Sequence, residues 1–157
     1  MKEEQKKNTA LKEKAEKLIT QHVYASMGIA LVPVPFLDFA GLSAIQLNLL
    51  RKLSHEYKVP FSKEMVNNLI AALIGGAAPT SFGRYFFSIM KAVPFIGIPA
   101  GIVGSSILGG SSTYAVGKVF KRHFEEGGTF LTFDPEKAKA FYANMFEKGK
   151  NVAAKGG

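Results

Sequence analysis

The chain has 157 residues, enough for one domain with a real core, and its Lys+Arg total of 20 against Asp+Glu 12 gives a net charge of +8. The absence of cysteine excludes a disulfide framework and thiolate metal sites. A basic balance favours anionic partners, and the N-terminal MKEEQKKNTALKEKAEK lacks the apolar core of a secretory signal, so the protein is expected to stay unexported.

The elements read as helices throughout. Residues 9–32 carry Leu11, Ala15, Leu18, His22, Ser26 and Ile29 at spacings of three and four, which predicts a first helix. Pro33 and Pro35 interrupt it, because proline breaks the helical hydrogen-bond ladder. Asp38 is placed to N-cap a second helix from Phe39 to about Tyr57, with Leu42, Ile45, Leu49, Leu53 and Tyr57 on one face. Ser62 then caps a third, Lys63 to about Ile74, which stops at Gly75-Gly76 and Pro79. A Phe-rich helix is expected over Phe82–Ala92, a second break at Pro94–Pro99, and a long helix from about Ala100 to Phe124, ending at Gly127-Gly128. Thr129–Phe133 reads as a linker or short extended piece. Asp134 caps a last amphipathic helix with Pro135 at its first position and Ala138, Phe141, Tyr142 and Met145 as its stripe. Asn151–Gly157 should fray. The fold class is therefore all-α: helical hairpins with two Pro/Gly-interrupted apolar segments, a domain over 1–128, and a linker plus C-terminal helix over 129–157.

The placement of charge says more than its total. From Leu18 to Leu50 the only Asp, Glu, Lys or Arg is Asp38, and from Met65 to Gly117 only Arg84 and Lys91 occur. A helix on the surface of a soluble domain normally has a charged face, so these blocks must be hidden from water by protein, by lipid or by both. The run from Ala92 to Gly117 is long enough to span a bilayer but is broken by prolines and glycines. In the first block the arm before the turn reaches roughly 22 Å, short of a ~30 Å hydrocarbon core. Lys12, Lys14 and Lys17 before it and Arg51 and Lys52 after it suit a hairpin that dips in and returns to the cytoplasmic face of a membrane. Asp38 at the tip would cost about 2.5–3.5 kcal/mol if exposed to lipid mid-bilayer, so it must cap a helix, face protein or lie shallow. Arg51, Lys52, Lys118, Lys121 and Arg122 read as headgroup-facing or solvated ends.

Gly97, Gly101, Ser105, Gly109, Thr113 and Gly117 recur at every fourth position and form a small-residue ridge. Such a ridge admits a second backbone, either within the chain or between subunits. The two proline-led apolar blocks are weakly similar to one another, as an internal repeat or by chance. No catalytic constellation is visible, so no enzyme activity and no cofactor or metal are expected. His22, His55 and His123 lack metal-ligand spacing and read as helix-surface or interfacial residues. The Gly117-Lys118 pair fails as a phosphate loop, because Ser112 and Val119 stand where Gly and Ser or Thr are needed. The serines at 105, 106, 111 and 112 have no evident base and are expected to bond back to their own helix. Nucleic acid is not expected as a partner, since the aromatics sit apart from the basic residues.

The stretch EKAEKLITQHVYASMGIALVPVPFLDFAGLSAIQLNLLRKLSHEYKVPFS, then AALIGG, then AVPFIGIPAGIVGSSILGGSSTYAVGKVFKRHFEEGG, resembles the domain of unknown function 697, over roughly Glu13 to Gly128. Pro33-Val34-Pro35-Phe36-Leu37-Asp38, Ile45-Gln46 and Thr113-Tyr114-Ala115-Val116-Gly117 carry the resemblance most specifically. It implies a helical, membrane-associated domain, often found after an Era-like GTPase domain and sometimes alone. This sequence shows no phosphate loop and no strand–helix alternation. The resemblance therefore implies the stand-alone form, working with a separate GTPase; anionic membrane lipid is expected as a partner from the basic flanks, and further copies of the chain from the small-residue ridge. It brings no catalytic residues.

Overall fold

A computed structural model describes residues 1–31, 37–77 and 98–156; the side chains at 37–39, 76, 77, 98–103 and 105 lie outside that description. The described residues form five helices and no strand: α1 (Lys2–Ile29), α2 (Leu37–Glu56), α3 (Lys63–Ala77), α4 (Ile98–Glu125) and α5 (Pro135–Gly156). Pro33, Pro35, Gly97 and the helix expected over Phe82–Ala92 fall outside the described residues.

α1 starts seven residues before its expected bound. Its first nine residues are exposed and show no apolar period, yet Lys, Glu and Gln are good helix formers, and Glu3 and Glu4 sit where the helix dipole favours acids. α2 opens at Leu37, so Asp38 lies inside its first turn. At the start of α3 the Ser62 carbonyl accepts the Val66 amide at 3.0 Å, as an N-cap carbonyl does, and the helix runs on through Gly75-Gly76 to Ala77. α4 starts at Ile98, with Pro99 in the first turn, where a missing N–H removes no ladder bond. At α5 the Asp134 carboxylate accepts the amides of Glu136 at 3.0 Å and Lys137 at 3.4 Å, closing an N-cap with Pro135 as the first helical residue. The tail does not fray at Asn151: α5 continues to Gly156 because Gly149 and Ala153 are buried against the bundle.

Two helix ends share one geometry. After α4, the Gly128 amide bonds to the His123 carbonyl (2.8 Å) and the Gly127 amide to that of Phe124 (3.0 Å), with Gly127 at φ 86°. After α2, the Val59 amide bonds to Ser54 (2.8 Å) and the Lys58 amide to His55 (3.2 Å), with Lys58 at φ 57°. Both are Schellman motifs, but only the first has the glycine that the left-handed position favours. The left-handed conformation costs an L-residue roughly 1–2 kcal/mol, against ~0.5–1 kcal/mol of extra chain entropy lost by glycine. Lys58→Gly should therefore raise stability by about 0.5–1 kcal/mol, read as a higher urea midpoint at unchanged slope.

α4 is the central helix. It packs most extensively on α5 and α1, then on α2, while α3 lies chiefly against α5. The core joins Ala15, Ile19 and Val23 of α1, Leu49, Leu50 and Leu53 of α2, Val66, Ile70 and Leu73 of α3, and Val116 and Phe120 of α4. At one end Phe120, Phe124, Phe130 and Phe133 form an aromatic cluster, with the Phe120 and Phe133 rings stacked at 4.3 Å. The Thr129–Phe133 segment is a turn that folds two of these rings inward, not an extended piece. The C-terminal helix, set apart in the sequence at 129–157, is packed into the same core.

Candidate functional site

The apolar blocks have a defined location in the bundle. α1 runs antiparallel to α4, since Glu16 meets Lys118, Ser26 meets Thr113, and the Met27 carbonyl accepts Ser106 Oγ at 3.0 Å. α2 runs alongside α4 in the same direction: Leu42 lies near Gly109, Leu49 near Gly117 and Tyr57 against Glu125. The C-terminus of α1, the N-termini of α2 and α4 and the C-terminus of α5 therefore share one end. α1 ends, and α2 and α4 begin, at that same end. At this end α1 from Leu18, α2 to Leu50 and α4 to Gly117 contain no Lys, Arg, Asp or Glu apart from Asp38, whose side chain is outside the description. Leu31 is 55% exposed there and Tyr24 is 48% exposed. α5 is the exception, bringing Glu147, Lys148, Lys150 and Lys155 along its outer face.

The other end holds paired charge. Lys14 and Glu56 meet at 2.8 Å; Glu16 accepts Lys118 at 2.6 Å and Lys121 at 3.2 Å; Lys121 also reaches Glu125 at 3.0 Å. Partial burial pushes the Glu16 carboxyl up, but the Lys118 hydrogen bond and charge, with Lys121, outweigh this and hold it below the usual carboxylate range. Burial and the neighbouring Glu125 push the Tyr57 phenol up. Arg122 pairs with Glu126 at 2.9 Å and lies over the Phe141 ring. Of the five basic residues singled out in the sequence, Lys118, Lys121 and Arg122 are thus engaged by acids of the same chain. Arg51 and Lys52 are exposed.

The ridge faces inward where it is described. A side chain at Gly109 would meet the Ser26 carbonyl at 3.7 Å, and one at Gly117 would meet Ile19 at 2.8 Å and Leu49 at 3.2 Å. Gly101 and Ser105 lie on α4 with side-chain surroundings outside the description.

Between the two ends runs a buried polar seam that joins four helices. Tyr142 shares a hydrogen bond with Ser112 (3.1 Å), Gln46 donates to Ser112 (3.0 Å) and more weakly to Thr113 (3.4 Å), and Thr113 bonds Ser26 at 2.6 Å. Ser26 Oγ donates to the His22 carbonyl at 2.8 Å, so its partner hydroxyl, Thr113, supplies the other proton. The His22 ring is 7% exposed, not on the helix surface. Its Nδ1 lies 2.7 Å from the Leu18 carbonyl and its Nε2 3.1 Å from Asn48 Nδ2, and Arg51 donates to Asn48 Oδ1 at 3.1 Å. Burial, opposed by the Leu18 bond and helped by Lys52, holds the imidazole below its ordinary value.

Of the serines expected to bond back to their own helix, Ser111 alone does so among the three whose side chains are described, and Ser105 lies outside the described side chains. Ser111 bonds back to Ile107 of its own helix, whereas Ser106 and Ser112 bond across helices. Gln46, Ser26 and Tyr142 were not singled out as polar partners. The available signal was His22 and Ser26 standing at core-facing spacing among apolar residues. Chemically, the seam fixes which helix meets which. Ser26 touches the His22 carbonyl and not its ring, so the two do not form a nucleophile–base pair. Among the described residues no three His, Asp or Glu gather to hold a metal ion, and no helix is long and apolar enough to cross a membrane.

The family model described as domain of unknown function (DUF697) matches residues 2–151. That match reaches past Gly128 and takes in the turn at Thr129–Phe133 and most of α5. The chain is 38% identical over 142 residues to magnetosome membrane protein 22 of Magnetospirillum gryphiswaldense, covering 90% of this chain and 73% of that protein. No solved structure matches it.

Proposed function

The chain belongs to the domain of unknown function family DUF697, and we propose that it is a membrane-associated helical module without catalytic activity. The end at which α1, α2 and α4 are uncharged engages the bilayer from the cytoplasmic face, where the module anchors to, senses or remodels the membrane. The observation that carries this reading is the shared end: α1 ends there, α2 and α4 begin there, and these three helices hold no charge but Asp38 for several turns, the end's other charges lying on α5. The uncharged length of α1, Leu18 to Ile29, is about 18 Å, close to one leaflet of a ~30 Å core and short of two. Shallow entry, with return to the same face, fits that length and the lack of a spanning helix among the described residues. Exposed Arg51 and Lys52 sit where the uncharged stretch of α2 stops, the level at which anionic headgroups would lie. The membrane protein among its relatives supports the same reading. A separate GTPase and further copies of the chain are the partners proposed with it.

A soluble helical adaptor is the second reading, favoured by one observation: the described parts of the two apolar blocks pack on each other around Gly117, Ile19 and Leu49. Fractionation of the expressed protein separates the two. The membrane reading expects it to pellet with membranes, resist high salt and carbonate, and release only with detergent. Recovery as a detergent-free monodisperse monomer would select the adaptor.

A further inference from the structure

We propose that His22, Asn48 and Arg51 form a pH-sensitive clasp that holds α1 to α2 while the imidazole is neutral and loosens that seam when it gains a proton. The geometry fixes one protonation state. The Leu18 carbonyl can only accept, so His22 Nδ1 carries the proton and Nε2 is left as an acceptor. Asn48 supplies the matching donor, and its amide cannot simply turn round, because Arg51 donates to Oδ1 and so keeps Nδ2 toward the ring. A second proton at Nε2 would set N–H against N–H at 3.1 Å and break the bond that joins the two helices.

Beyond the Leu18 carbonyl, which the imidazolium keeps as an acceptor, the surroundings offer the cation nothing. α2 presents Asn48, Arg51 and Lys52, the last two positively charged. On α1 the nearest acid in sequence, Glu16, is bound to Lys118 and Lys121 of α4. Among the described residues no carboxylate bonds the imidazole. The clasp adjoins the rest of the seam, since the His22 carbonyl accepts Ser26, which bonds Thr113. α1 and α2 are the two arms on either side of residues 32–36, so acid weakens the hold between the arms that lead into the first interruption.

The sign follows from linkage. The folded imidazole is held below its ordinary value of about 6.5, so the clasp contributes fully above that pH. Its contribution is lost as the pH falls from there through the folded value, by up to tenfold in the equilibrium per pH unit. Glu16, also held low, loses its contribution only below the carboxylate range near 4.5, a separate window.

The test is amide exchange on the intact chain between pH 7.5 and 5, corrected for intrinsic rates, with the ring state read by nitrogen NMR. The expected result is a neutral Nδ1–H tautomer at pH 7.5. Exchange at Val23 and Leu49 should then accelerate by up to tenfold per pH unit, while exchange at Met145 in α5 changes less. His22→Gln, which cannot titrate, should remove that acid dependence. Should His22→Gln fail to fold, Asn48→Asp serves instead: it gives the imidazolium a carboxylate, and protection of the α1–α2 amides should then hold or rise at pH 5. Unchanged pH dependence in His22→Gln, an acid-sensitive seam in Asn48→Asp, or equal acceleration in α5 would overturn the proposal.

Discussion

Phe120→Ala should cost about 3–5 kcal/mol, the range for removing a fully buried aromatic side chain and leaving its cavity. Phe120 is 0% exposed, and its ring contacts those of Phe124 at 6.0 Å, Phe130 at 5.6 Å and Phe133 at 4.3 Å. Two of those rings belong to the turn between α4 and α5, so the cavity would loosen the turn that brings α5 back onto α4. The loss is a large share of the ~5–15 kcal/mol that holds an ordinary domain together. Chemical unfolding should show a midpoint lowered accordingly. A loss under about 1 kcal/mol would mean that the cluster is not the packed unit described above.

Gly149→Val should be the second most damaging change. A Cβ at Gly149 would stand 3.0 Å from both the Cα and the carbonyl oxygen of Ser111, and 3.1 Å from the Tyr114 ring. Backbone atoms of a central helix cannot swing aside as a flexible side chain does, so α4 and α5 must separate. Overpacking of this kind costs typically 1–3 kcal/mol, and the small helix-propensity gain from replacing glycine offsets only part of it. The separation would also strain the Ser112–Tyr142 bond at the same crossing. Gly75→Ala is the matched control. Nothing lies within 4 Å of its added Cβ, so only the propensity term remains and stability should rise by up to ~1 kcal/mol. Opposite shifts in unfolding midpoint, the loss larger than the gain, distinguish a packing glycine from an incidental one. A tolerated Gly149→Val would contradict the close crossing.

The helices were legible because their signals are local. The Asp134-Pro135 cap, the Gly127-Gly128 stop and the apolar period of α2 each act within a turn or two. The start of α1 was missed because helix propensity in a charged stretch leaves no apolar period to read. The end of α5 was missed for a different reason: Gly149 and Ala153 gain their order from α4, not from neighbours in sequence. The same limit governs the polar seam. Ser26 and Thr113 are 87 residues apart, and Gln46 and Ser112 are 66 apart, so no spacing rule joins them. What sequence did carry was the anomaly of His22 and Ser26 on a core-facing stripe. The charge pattern was legible as two uncharged blocks, but only the antiparallel arrangement of α1 and α4 brings those blocks together at one end of the bundle. Lys118 and Lys121 looked free in one dimension, and Glu16 from another helix engages both.

The end at which α1, α2 and α4 are uncharged is the basis of the functional proposal, and its contact with lipid can be measured directly. The sequence has no cysteine, so single labels are clean. An environment-sensitive dye placed by Leu31→Cys sits exposed in the turn just past the C-terminus of α1, and one placed by Asn8→Cys sits on the exposed N-terminal turns of that helix. With vesicles containing anionic phospholipid, the dye at 31 should shift to the blue and be quenched by a lipid-borne quencher, while the dye at 8 stays aqueous. An aqueous dye at 31 on vesicle-bound protein, or no binding to vesicles at all, would contradict it.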